Sequence, residues 1–150
     1  SMAVGLGLGA KQLKKPWKTV CLMGDGECCE GSVWEAAMSA AHFKLDNIVG
    51  IVDRNRLMID GCTEDVMALE PFADKWRAFG WNVIEVNGHD LDELDCALDA
   101  AWKAEGKPTL ILANTVKGKG VDFMENNVVY HYASGDSALC EKAKASIMRG

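Results

Sequence analysis

Four short apolar runs, alternating with helix-like segments, constrain this chain more than any other feature. TVCLM (19–23), NIVGIV (47–52), NVIEV (82–86) and TLILA (109–113) show little polar alternation, as expected of strands buried on both faces. Between the first two, residues 31–43 place Val33, Ala36, Ala37, Ala40 and Ala41 on one helical stripe. Pro71 can sit in the first turn of a helix carrying Phe72, Trp76 and Phe79 on one side. Asp90 can cap a helix whose Leu91, Leu94, Leu98, Ala101 and Trp102 share a face, and Gly106 stops it. Such alternation predicts an α/β fold, a parallel sheet flanked by helices. Upstream, VGLGLGA (4–10) is small, apolar and uncapped. It reads as a helix that starts earlier in something longer.

Composition narrows the class. At 150 residues, 49% hydrophobic and 25% charged, the chain fits one globular domain. Its net charge is −6 and no basic run exceeds Lys14-Lys15, which argues against nucleic acid as a partner. No apolar stretch is long enough to span a bilayer. The six cysteines form no C-x-x-C pair, and Cys28 and Cys29 are adjacent. This usage predicts reduced thiols in a cytoplasmic protein. His42 reads as helix packing, His89 as a turn residue, and the scattered methionines and tryptophans as core.

In open parallel sheets, ligands bind at the carboxyl ends of the strands. That rule points to GDG (24–26), DRN (53–55) and KGKG (117–120). The glycines of GDG let the backbone approach a ligand, and the helix beyond offers N–H groups to an anion. Asp25 would repel that anion unless a cation lay between them, and an oxygen-liganded Mg²⁺ or Ca²⁺ suits that role. Alone, GDG reads first as an ordinary strand-to-helix turn, and Asn55 as an ordinary turn residue. Twenty-eight residues separate Gly26 from Asn55, the length of one helix plus one strand. Asp25 and Asn55 are therefore expected at one edge, on adjacent strands, holding one metal ion.

The stretch GDGECCEGSVWEAAMSAAHFKLDNIVGIVDRNRL resembles the thiamine-diphosphate signature of the transketolases. EGSVWEA, KLDN and DRNRL carry the likeness further, as do EPFADKWRAFGWNVIEVNGHD, GKPTLILANTVKGKGV and FMENN. The resemblance implies roles residue by residue. Asp25, Asn55 and the backbone carbonyl of Leu57 would ligate the metal. Gly26 and Asn55 would meet the diphosphate, and Lys117 would offset its charge, although a solvated loop lysine is the equal alternative. His131 would contact cofactor or sugar, and Glu30 would link paired active sites at a subunit interface; these two are the candidate catalytic residues. Residues 1–131 would form an incomplete diphosphate-binding domain of the thiamine-diphosphate fold, and residues 132–150 a divergent helical tail.

The implied activity is transfer of a two-carbon ketol unit between sugar phosphates, using thiamine diphosphate and a divalent metal. The glutamate that seats the pyrimidine ring in this family lies in a different domain that this sequence does not contain. The resemblance thus implies a partner, a carboxy-terminal transketolase half carrying the pyrimidine-binding domain, and inactivity of this chain alone. A truncated sheet should leave apolar faces open and favour a homo-oligomer. Two alternatives stay open: an enzyme of the deoxyxylulose-phosphate synthase type, and a non-catalytic α/β oligomerisation module.

Overall fold

A computed structural model describes residues 1–132 and 135–149. Four parallel strands form the main sheet: β1 (Thr19–Gly24), β2 (Ile48–Arg54), β5 (Asn82–Asn87) and β6 (Thr109–Asn114), in the order β1-β2-β6-β5. A two-stranded ribbon, β3 (Leu57–Met58) with β4 (Gly61–Cys62), follows β2 immediately. The helices are α1 (Met2–Gln12), α2 (Gly31–His42), α3 (Thr63–Val66), α4 (Phe72–Ala78), α5 (Leu91–Lys103) and α6 (Ser137–Ile147). This is the expected α/β sheet, and each apolar run became a strand. Among the described residues, no helix is long and apolar enough to cross a membrane.

Side chains from α1, α2 and α4 cover one face of the sheet, where Ala37, Ala40, Ile48, Val52, Trp76, Trp81 and Leu110 are buried. Helix α5 covers the other, over Val49, Val86, Ile111 and Ala113. Central β2 and β6 are buried on both faces, which is why neither alternates. Edge strand β1 does alternate. Its Val20 and Leu22 point to the α5 side, beyond the reach of α5, and are 51% and 70% exposed.

Local signals explain the element ends. The Asp90 carboxylate accepts from the N–H groups of Asp92 and Glu93 and so caps α5. Pro71 sits one residue outside α4 as its cap rather than in its first turn, while Phe72 and Trp76 are buried as expected. Leu91 shares the expected stripe but is 79% exposed. It lies in the first turn of α5, outside the packed layer, so the packed stripe begins at Leu94. His42 is exposed at the end of α2, edge-on to Phe43. Trp17, Met2, Met38, Met67 and Met148 are also exposed, because they fall at chain ends, helix outer faces or loops rather than between layers. The six cysteines are free thiols.

Candidate functional site

Adjacent strands β1 and β2 run in parallel with Gly24 beside Asp53, so both leave the sheet at the same edge. Just past β1, Asp25 opens a single 3₁₀ turn, Gly26–Cys29, that leads into α2. Just past β2 come Asn55 and the β3–β4 ribbon. The third approach is the 115–120 loop after β6. Its Thr115 N–H donates to the Arg54 carbonyl at 3.2 Å, and the Thr115 hydroxyl donates to the Asp53 carboxylate. The Val116 N–H donates to His89 Nε2 at 2.7 Å. Gly118 has φ +74° and packs so closely on residue 124 that a Cβ would lie 2.6 Å from the Met124 carbonyl oxygen. Only glycine suits that position.

These three approaches enclose one cavity of about 520 Å³, lined by Asp25, Gly26, Glu30, Asn55, Leu57, Lys117 and His131 among others. Every expected site residue therefore lies on its wall. Asp25 and Asn55 are buried, Lys117 and Leu57 half-buried, and Glu30 and His131 exposed. Gly26 lies so close to the ribbon that a Cβ would sit 2.9 Å from the Met58 Cβ.

The Asp25 carboxylate is held by three N–H donors. Oδ1 accepts from the Gly26 N–H at 2.8 Å. Oδ2 accepts from the Arg56 N–H at 2.6 Å and from Arg54 Nη1 at 3.1 Å. Asn55 Oδ1 accepts from the Leu57 N–H at 3.0 Å. The Gly26 N–H, expected to face a diphosphate, is here turned to its neighbour's carboxylate.

Charge decides what this cavity can take. Asp25, Glu27, Glu30, Asp53 and Asp60 line it against the single lysine, Lys117. An anion entering so acidic a pocket needs a cation beside it. The donors on offer (carboxylate, amide oxygen, backbone carbonyl) are hard oxygens that suit Mg²⁺ or Ca²⁺. The neighbouring Cys28 thiol does not compete: burial, reinforced by Glu27 and Asp25, pushes it up to about 12, so it stays protonated. Among the described residues, no three His, Cys, Asp or Glu side chains converge as a metal group. A mixed set of one carboxylate, one amide and one carbonyl is not of that kind.

Sequence reasoning missed three participants. Arg54 is 1% exposed and reaches Thr63, Glu64 and Glu70 besides Asp25. Burial disfavours its charge, but bonds to Glu70, Glu64 and Asp25 outweigh that and raise its pKa. Glu64 carries burial's upward push, yet N–H donors from Glu70 and Leu69, together with Arg54 and Thr63, hold it down at about 2. His89, expected to be no more than a turn residue, instead braces the loop that carries Lys117. The only signal in the sequence is the DRN triplet, an arginine between two groups assigned to the site.

A family model described as transketolase, thiamine diphosphate binding domain, matches residues 12–147. An apulose-4-phosphate transketolase subunit of Phocaeicola vulgatus is 45% identical over 143 residues, 95% of this chain and 51% of that protein. The 6-deoxy-6-sulfo-D-fructose transketolase subunit SqwG of Clostridium sp. (strain MSTE9) is 45% identical over 131 residues, 87% of this chain and 48% of that protein. The chain spans about half the length of these curated relatives. Among solved structures, transketolase from Campylobacter jejuni superposes with a TM-score of 0.90 at 34% identity, covering 97% of this chain and 24% of that one.

Proposed function

This chain belongs to the transketolase thiamine-diphosphate-binding family, and we propose that it supplies the metal–diphosphate anchor of a split transketolase. The observation that carries the proposal is the single acidic cavity walled by Asp25, Gly26, Asn55, Leu57 and Lys117. Asp25, Asn55 and the Leu57 carbonyl would hold Mg²⁺, leaving its other positions to diphosphate oxygens and water. When bound, thiamine diphosphate supplies the group that stabilises carbanion character while a two-carbon unit is moved.

The chain's own residues then have defined tasks. Asp25, fixed by three N–H donors, would offer oxygen to the metal. Asn55 would contact metal and diphosphate. Lys117, on the cavity wall, would offset diphosphate charge with a point cation. His131, exposed on the cavity wall, would contact cofactor or sugar, and Glu30 would link paired active sites at a subunit interface. Residues 1–131 form the anchoring segment. In the tail, helix α6 docks through Ser146, whose Oγ accepts from the Asp122 N–H at 3.0 Å.

Seating the pyrimidine ring requires a second, carboxy-terminal half, so this chain alone should not turn over. The relatives named as subunits, each about twice its length, support that division of labour. Sugar phosphates are the substrate class.

Calorimetric titration of Mg²⁺ and thiamine diphosphate into the chain tests the anchor. Uptake that disappears in Asp25→Ala supports it. No uptake by the unmutated chain favours the oligomerisation module, or a fragment too incomplete to bind, instead.

A further inference from the structure

We infer that Arg54 is a positioning residue that aims the Asp25 carboxylate and links it to the 63–70 segment. This rests on the reading of Asp25 as a metal ligand. Arginine is almost never fully buried unless paired, and removing its charge from water is costly, so a 1% exposed guanidinium calls for a function. Its Nη1 donates to Asp25 Oδ2 at 3.1 Å and to Thr63 Oγ1 at 2.9 Å. Its Nη2 donates to Glu64 Oε1 at 3.1 Å and to Glu70 Oε1 at 2.9 Å. The Phe72 ring packs 5.5 Å from the guanidinium carbon.

Two features separate positioning from simple neutralisation. First, three carboxylates surround one guanidinium. Glu64 and Glu70 satisfy the arginine's charge, so Asp25 keeps its own for a cation. Second, the bonds divide unequally between the Asp25 oxygens. Oδ2 carries both Arg54 and the Arg56 N–H, whereas Oδ1 carries only the Gly26 N–H. The carboxylate plane is thereby fixed with accepting capacity left on Oδ1. Only a planar fork reaches four partners at once; a lysine ammonium is a point charge and does not.

The test is a Mg²⁺ titration at fixed excess thiamine diphosphate, read by calorimetry, with thermal unfolding followed in parallel. The proteins are the unmutated chain, Arg54→Lys, Arg54→Met and Glu70→Gln. Positioning predicts that Arg54→Lys raises the Mg²⁺ dissociation constant about tenfold, the effect of losing an outer-shell partner. Arg54→Met should raise it too, although that change makes the site more negative. Glu70→Gln should raise it in the same direction by less. A folded Arg54→Lys with unchanged affinity, or an Arg54→Met that binds Mg²⁺ more tightly, overturns the inference and leaves Arg54 a mere counter-ion. If neither arginine variant folds, Glu70→Gln decides, since that side chain is 47% exposed; unchanged affinity there also overturns it. No Mg²⁺ uptake by the unmutated chain removes the anchor reading itself, a failure visible before any variant is made.

Discussion

The carboxyl tips of β1 and β2 and the α5 face of the same sheet are built from opposite materials. Under α5, Val49, Val86, Ala97, Ala101, Ile111 and Ala113 meet with no buried ion among them. At the tips, Asp25, Arg54, Asn55 and Thr63 are all buried. An apolar layer of that kind is graded: each lost methyl costs its share. A buried ionic cluster is closer to all-or-none, because removing one partner strands the others. A buried ion pair is by itself weak evidence for stability, and this cluster sits on the wall of the cavity, which ties it to what the tips present to a ligand.

The contrast breaks most readily at Arg54. Arg54→Ala should cost about 3–5 kcal/mol, chiefly by leaving the buried Asp25 carboxylate without its guanidinium, measured by urea unfolding. A cost near that of an ordinary surface substitution would show the cluster to be dispensable.

Acid should reveal the same asymmetry. Glu64 is held at about 2 against an ordinary 4.5, and Glu70 is lowered too, chiefly by its bond to Arg54. A depressed carboxylate stabilises the fold fully above its unfolded value. That contribution fades as pH falls below about 4.5 and is gone near 2. The unfolding midpoint should therefore drop across this window, and Glu64→Gln should flatten the profile. An unchanged slope in the variant would contradict the assignment.

On the apolar side, Ile111→Val should cost only about 1 kcal/mol and leave Mg²⁺ affinity unchanged. Coupling to metal binding would mean that the two regions are not separate. Smallest of all, Leu91→Ser should shift stability by no more than about 0.5 kcal/mol, since Leu91 is 79% exposed.

How legible each region is follows from its material. The strands can be read because burial on both faces writes an uninterrupted apolar run, as in TLILA. The Asp90 cap can be read because its partners are the N–H groups two and three residues on. Asp25 and Asn55 can be placed together because one helix and one strand fill the chain between them. Arg54 cannot be read. Its partners lie 10 and 16 residues away, Glu64 in the short helix α3 and Glu70 in the irregular stretch after it, whose course only the fold defines, and a lone arginine looks exposed by type. Leu91 errs in the other direction: periodicity records which face a residue is on, not where the sheet beneath it stops.

The most direct measurement is a crystal of the chain grown with Mn²⁺ and thiamine diphosphate, with the metal located by its anomalous scattering. A single strong peak is expected, bounded by the Asp25 carboxylate, the Asn55 amide oxygen and the Leu57 carbonyl. A metal bound elsewhere, with Asp25 still engaged only by Arg54 and the backbone N–H groups, would contradict the metal-anchor assignment.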